Sequence, residues 1–417
     1  MQKISFLFPG QGSQYVGMGK DLCEQFPVAI QTFEEASDLL GFDLLKLCCE
    51  STIEELTRTS NAQPAILTAS ISAYRVLQKE VPIQPLMGAG HSLGEFSALV
   101  CSGALEFADA VKLVRQRGIF MEEAVSEAGG AMSAVMNVKA DVVESVCKQV
   151  SSPGAIVVTA NYNSMHQTII SGHKSAVMEA NRILEEHGAV NSLLQVQAPF
   201  HSPLMCKAAE QMESVLNSVV FHDMYWPVIS NVDAKPYTDK SLIANLLTEQ
   251  ITSPVRWYRT MEYMNASGIK NVIELGPKTV LKNLYKQSFP QVRGYSMDSK
   301  QHCDTLSNLI NPKADFIYPE AMRFIKLCMV MAVSTKNRSH DQEKYQQEVV
   351  IPYKRIKNIK ETFESENKPV SYFYMSEALE MLKSVFMAKE VPINEQKKRF
   401  AELFRRTQTQ DLFDNVL

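Results

Sequence analysis

Leu86-Met87-Gly88-Ala89-Gly90-His91-Ser92-Leu93-Gly94-Glu95 runs from a strand of small and apolar residues into a helical pattern, with a G-x-S-x-G element at the join. A serine on such a strand-to-helix turn is held in a strained backbone conformation, and the flanking glycines make room for it. Its hydroxyl projects at a helix N-terminus, where the positive dipole end and free N–H groups can stabilise an oxyanion. The competing reading is a bystander serine in a glycine-rich turn. The strand before and the helix after favour Ser92 as a nucleophile.

Working outward, Ile4-Ser5-Phe6-Leu7-Phe8 reads as a buried strand that stops at Pro9-Gly10-Gln11-Gly12-Ser13. A capped helix start falls at Ser51 to Glu55, and a long helix follows Asn61-Ala62-Gln63-Pro64 and ends near Lys79. Helical periodicity returns over residues 93–101 and 107–124. From Gly129 the rhythm changes: strand 131–136, helix 141–149, strands 155–161 and 167–171, helix 174–186, strand 190–196. That β-α-β-β-α-β order is the ferredoxin-like pattern, an insert of about 70 residues. A helix over 202–216, a strand over 228–230, two more helices and a buried strand over 270–274 follow. The expected class is an α/β domain carrying an inserted α+β subdomain. Beyond Pro312, residues 324–333 read as a buried helix, 337–348 as a polar linker and 353–368 as a charged stretch. Two amphipathic helices are expected over 375–389 and 394–406.

The 417 residues are 45% hydrophobic and 21% charged, the balance of a globular protein with room for an ordinary core. A net charge of -4 argues against a nucleic-acid partner. No apolar run reaches the length of a membrane span, so no membrane partner is expected. The start, Met1-Gln2-Lys3-Ile4-Ser5-Phe6, lacks the apolar region of an export signal. The 8 cysteines form no C-x-x-C pair, so no zinc or redox motif is expected. They read as reduced thiols in a cytoplasmic protein.

A serine nucleophile needs a base. His166, His173, His187, His222, His302 and His340 sit in polar stretches and read as exposed bystanders. His91 adjoins Ser92, but neighbours on such a turn point in different directions. His201, in Ala198-Pro199-Phe200-His201-Ser202, lies between the insert's last strand and a new helix. There it could reach Ser92, or it could merely start the helix. No aspartate after Ser92 stands out to fix the imidazole tautomer; a backbone carbonyl could do so.

Several separated motifs together resemble the malonyl-CoA:acyl carrier protein transacylase family, including the stand-alone, trans-acting acyltransferases of polyketide synthases. They are Phe8-Pro9-Gly10-Gln11-Gly12-Ser13-Gln14, Gly90-His91-Ser92-Leu93-Gly94-Glu95 and Arg115-Gln116-Arg117-Gly118. Asn161-Tyr162-Asn163, Gln167 to Gly172, Phe200-His201-Ser202, Ser230-Asn231-Val232-Asp233, Gln250 to Trp257 and Glu274-Leu275-Gly276-Pro277 complete the set. The resemblance covers residues 3–310. It implies an α/β-hydrolase-like large subdomain (1–127 and 198–310), a ferredoxin-like subdomain (128–197) and a C-terminal helical extension (311–417). It implies Ser92 and His201 as the catalytic pair and the Gln11 and Leu93 amides as the oxyanion hole. The Gln250 carbonyl would orient the histidine, and Arg117, Phe200, His91 and Met121 would bind substrate. Met165 departs from the proline of many members, and the extension is absent from the short fatty-acid enzymes, which points to a polyketide assembly line.

Under that resemblance Arg117 would pair with a malonyl carboxylate; judged alone, it reads as one more charge on a solvated helix face, like Arg115. Phe200 would crowd the acyl α-carbon and disfavour methylmalonyl. The implied partners are a coenzyme A thioester and an acyl carrier protein, with no metal or redox cofactor. An acyl-thioester hydrolase and a non-catalytic docking protein are the competing functions. The extension is either a docking surface or an addition packed onto the body.

Overall fold

The structure is a computed structural model that describes residues 3–81, 83–194, 198–310, 321–339, 341–365, 370, 372–410 and 413. His340 and the end of the strand expected over 190–196 lie outside the described residues. The chain divides into two compact units, Met1–Asp304 and Thr305–Leu417.

The strands of the first unit are β1 (Ile4–Phe8), β2 (Met87–Gly90), β3 (Gly130–Met136), β4 (Val157–Ser164), β5 (Gln167–His173), β6 (Val190–Leu193), β7 (Val228–Ile229), β8 (Asn271–Leu275) and β9 (Arg293–Met297). Five of them form a parallel sheet in the order β7-β2-β1-β8-β9. Every residue of β1, β2 and β8 is buried, because helices cover both faces of a parallel sheet and leave no polar alternation. The register sets Phe8 beside Gly90 and Leu7 beside Glu274, so these strands end level. The loops after them carry Gln11, Ser92 and Lys278, which places the site at the carboxyl edge of the sheet, where α/β proteins bind ligands.

The other four strands form an antiparallel sheet in the order β4-β5-β3-β6. Alternation along the strands sends Val135 and Ile170 against the helices Ala140–Val150 and Lys174–Glu186, where Val143, Val146, Val177 and Leu184 complete a core. Met132, Ala134, Ala160 and Ile169 face the other way, and Phe200 packs on them. Tyr162 N–H donates to the Val255 carbonyl at 2.9 Å, and Val255 N–H to Ala160 at 2.8 Å, so β4 is stitched to the segment before Trp257.

Residues 278–310 carry elements that the sequence did not suggest: the helix Val280–Ser288, β9 and the helix Lys300–Ile310. β9 is an edge strand with exposed or half-buried Arg293, Gly294 and Tyr295, so it lacks the apolar run of its neighbours. In the second unit the expected linker is helical from Gln342 to Val350, because Val349 is drawn into the core. The charged stretch is the helix Ile351–Ser365, whose Tyr353, Ile356, Ile359 and Phe363 recur at helical spacing against that core. The helices Ala321–Ser334, Tyr372–Ala388 and Ile393–Thr407 supply Phe324, Leu382, Phe386 and Phe404 at its centre. Among the described residues no helix is long and apolar enough to cross a membrane.

Candidate active site

The turn after β2 is sterically dictated. A Cβ on Gly90 would lie 1.8 Å from the Gly94 carbonyl carbon, and one on Gly94 would lie 2.0 Å from the Phe8 carbonyl oxygen. Only glycines let strand, turn and helix cross so closely. Between them Ser92 has φ 51°, the left-handed region that costs a non-glycine residue of order 1–3 kcal/mol. Asn231 holds the strained turn: its Oδ1 accepts the Ser92 N–H at 2.6 Å, and its Nδ2 donates to the Gly90 carbonyl at 2.7 Å.

Ser92 Oγ lies 2.8 Å from His201 Nε2. His201 also has a positive φ, 56°, at the junction before the helical segment that opens at Pro203. Its Nδ1 lies 2.8 Å from the Gln250 carbonyl, which can only accept, so Nδ1 carries the proton and Nε2 presents a lone pair to Ser92. Burial, and then the nearby Arg117 guanidinium, push the His201 pKa down to about 3 and keep the ring neutral.

Arg117 comes from the helix Phe107–Ala128 and is 2% exposed. One terminal nitrogen donates to Gln63 Oε1 at 3.0 Å. The other reaches Gln250 Oε1 at 3.1 Å and Ser92 Oγ at 3.2 Å. Burial lowers its pKa to about 10, so it stays a cation near neutral pH. Among the described residues no carboxylate makes a direct ion pair with it, though Glu95 acts on it electrostatically at longer range, and its buried Nε has no hydrogen-bond acceptor. A cation held this way has unspent capacity for an anion. Arg115 departs from the solvated face expected for it, donating to Asn61 Oδ1 at 2.7 Å and lying over the Phe42 ring.

A cavity of roughly 370 Å³ opens over Ser92 and is lined by Gln11, His91, Leu93, Arg117, Met121, Phe200 and His201, with Lys278 also on its wall. Among the described residues, neither the Gln11 nor the Leu93 backbone N–H donates a hydrogen bond. The Gln11 loop is held by Ser13 Oγ donating to Gly10, Gly12 N–H donating to Gln14 Oε1 and Lys278 Nζ donating to Gly12. Met121 is buried with its sulfur 3.6 Å from Gln63 Nε2. His91 turns away from Ser92, its Nε2 2.9 Å from Asn163 Oδ1 and its ring tilted against Trp257; burial lowers its pKa. All nine residues singled out from the sequence therefore gather at or directly behind one cavity. Among the described residues three of the supposed bystander histidines make ring hydrogen bonds, His187 Nδ1 to the Ile183 carbonyl at 2.9 Å on the exposed surface being one. His173 Nδ1 accepts the Ile156 N–H at 2.9 Å, and His302 Nδ1 lies 2.7 Å from Asp298.

The chain belongs to the acyl transferase domain family, which matches residues 5–325. Over 396 residues it is 39% identical to the malonyl CoA-acyl carrier protein transacylase of Bacillus subtilis, covering 95% of this chain and 99% of that protein. That similarity extends well into the second unit. It is 43% identical over 288 residues to the malonyl CoA-acyl carrier protein transacylase of Escherichia coli K12, which spans 69% of this chain and 93% of that protein. A solved malonyl-transacylase in complex with a type II PKS acyl-carrier protein superposes with a TM-score of 0.72 at 39% identity, covering 74% of this chain and 100% of that chain.

Four polar groups at the site were given no role from the sequence: Gln63, Glu95, the side chain of Asn231, and Tyr237. Glu95 is fully buried; its carboxylate takes the Tyr237 hydroxyl, Gln250 Nε2 at 2.7 Å and Asn231 N–H at 3.1 Å. Burial raises its pKa to about 7, against the pull of those three donors. The available signal was a large polar side chain within a short apolar run, as with Gln63 beside Ala62, Pro64, Ala65 and Ile66.

Proposed function

We propose that this protein transfers a malonyl group from malonyl-CoA to the phosphopantetheine thiol of an acyl carrier protein through a malonyl-Ser92 intermediate. The observation that carries the reading is one oxygen with two neighbours: Ser92 Oγ lies 2.8 Å from a neutral His201 and 3.2 Å from the buried Arg117 guanidinium. A neutral imidazole can take the serine proton, and a buried cation beside the nucleophile selects an acyl group that ends in a carboxylate.

The cycle has two halves. His201 Nε2 takes the Ser92 proton as Oγ attacks the thioester carbonyl. The free Gln11 and Leu93 amides receive the oxyanion. Coenzyme A leaves as the thiol, protonated by His201. The carrier's pantetheine thiol then gives its proton to His201 and attacks the malonyl ester, which restores Ser92. The kinetics are ping-pong. A malonyl carboxylate on Arg117 also neutralises the cation that depresses His201, so the correct substrate strengthens its own base. The cycle draws on no metal or redox group, and coenzyme A and pantetheine are substrates.

In this reading the large sheet with its serine turn is α/β-hydrolase-like over residues 1–127 and 198–310. The small sheet over 128–197 is ferredoxin-like, supported by its strand order, and 311–417 is the helical extension. The E. coli relative spans 69% of this chain and the Bacillus subtilis relative 95%, so the extension is shared by some relatives and not others; the resemblance to trans-acting acyltransferases favours a polyketide carrier protein as acceptor.

Intact-mass measurement after brief exposure to malonyl-CoA, acetyl-CoA and methylmalonyl-CoA tests the reading. Malonyl should add once to the native protein and not to Ser92→Ala. No adduct, or a preference for acyl groups without a carboxylate, would move the assignment to a thioester hydrolase or a docking protein.

A further inference from the structure

We propose that Glu95 is a positioning residue that sets the acyl selectivity of the site by fixing the polarity of the Gln250 side-chain amide. The proposal rests on the acyl-transfer reading above. Glu95 sits one residue past the nucleophile turn, fully buried, and is absent from the cavity wall, so it acts through other groups.

An amide has one donating end and one accepting end, while a guanidinium only donates. The Arg117 nitrogen beside Ser92 Oγ therefore finds an acceptor in Gln250 only if the amide turns its oxygen toward it, as it does at 3.1 Å. The opposite end of the same amide, Nε2, donates to Glu95 Oε2 at 2.7 Å and to the Ser92 carbonyl at 3.1 Å. Glu95 Oε2 also receives the Asn231 backbone N–H at 3.1 Å, a donor that cannot turn. That oxygen is consequently an acceptor whether Glu95 is ionised or protonated. A proton would reside on Oε1, where the Tyr237 hydroxyl can reverse from donor to acceptor. A flipped Gln250 amide would face N–H against N–H at Arg117 and oxygen against oxygen at Glu95.

The consequence reaches both halves of the chemistry. The Gln250 side chain fixes the Arg117 nitrogen that lies beside Ser92 Oγ, and the Gln250 carbonyl fixes His201. Loss of the Oε2 acceptor leaves the amide end tied only to the Ser92 carbonyl and loosens the Arg117 nitrogen beside Oγ, while Gln63 still holds the other. Malonyl, which needs Arg117, should then suffer more than acetyl, which does not.

The test is the ratio of initial malonyl to acetyl loading rates, read by intact mass on the full chain for Glu95→Gln, Glu95→Asp and Glu95→Ala, with Arg117→Ala as a reference. Glutamine can place its oxygen where Oε2 was and donate to Tyr237, so it should keep the ratio within a few-fold of the native value. Aspartate keeps the charge but loses a methylene of reach, and its ratio should fall by about tenfold or more, as should that of alanine. Should alanine fail to fold, the order of glutamine above aspartate decides. A ratio for aspartate equal to or above that for glutamine would overturn the proposal, as would equal losses of malonyl and acetyl loading in every variant. An unchanged ratio in Arg117→Ala would instead sink the carboxylate-selecting role of Arg117 in the reading beneath it.

Discussion

Arg117→Ala removes the buried cation that lies beside Ser92 Oγ. The guanidinium is 2% exposed and its charge is met by two amide oxygens and a hydroxyl. Losing one member of a buried, hydrogen-bonded charge pair costs about 2–5 kcal/mol. At about 1.4 kcal/mol per factor of ten, malonyl loading (kcat/KM) should fall roughly 30- to 4,000-fold. Acetyl makes no such pair, so its loading should hold or rise and the selectivity ratio should collapse. A second signature comes from His201. The cation is the next cause after burial of its lowered pKa, so its removal raises that pKa from about 3 toward the ordinary histidine value. The base works only when neutral. The acid limb of the loading rate should therefore move to higher pH in the variant, while the native rate stays flat well below pH 6. Stopped-flow or quench-flow acylation over pH 4–8, with both thioesters, reads both effects. Equal loss of malonyl and acetyl loading, with an unmoved acid limb, would refute the reasoning.

Phe200→Ala opens the cavity wall beside His201, and methylmalonyl should gain on malonyl by about 10- to 200-fold, the range for one methyl group; competition between the two thioesters measures it. Gly94→Ala forces a Cβ to 2.0 Å from the Phe8 carbonyl oxygen, and denaturant titration should show a loss of more than about 3 kcal/mol or no folded protein. Phe404→Ala empties a site stacked on Phe324, Phe400 and Phe413, and should destabilise the second unit by about 3–5 kcal/mol in calorimetry. Malonyl loading should survive that change below the melting temperature, because every residue lining the cavity precedes Thr305.

What the sequence disclosed and what it concealed differ in kind. The nucleophile turn was legible because its constraint is steric and local: backbone at Phe8, Gly90 and Gly94 comes too close for any side chain, so glycine spacing records the geometry. The base was half legible. A histidine at a strand-to-helix junction stands out, but its positive φ and its distance from Ser92 belong to tertiary structure. Its orienting partner is a backbone carbonyl, which any residue at position 250 would possess, so no side chain advertised it and only family resemblance pointed there. Arg117 and Arg115 lie two residues apart on one helix, and local pattern could not say which turned inward. The deciding fact was Gln63, a fully buried amide, whose oxygen needs a donor and finds it in Arg117. Glu95 follows the same logic. A carboxylate on the apolar helix that opens with Gly94-Glu95-Phe96 has to be met by donors, and Tyr237, Gln250 and Asn231 come from three distant parts of the chain to meet it. Gln63 and Glu95 are therefore each half of a sentence whose other half lies far along the chain, whereas buried hydroxyls on the same helices, such as Ser72 and Ser97, find no partner, so it is the buried amide and carboxylate that record the site's interior.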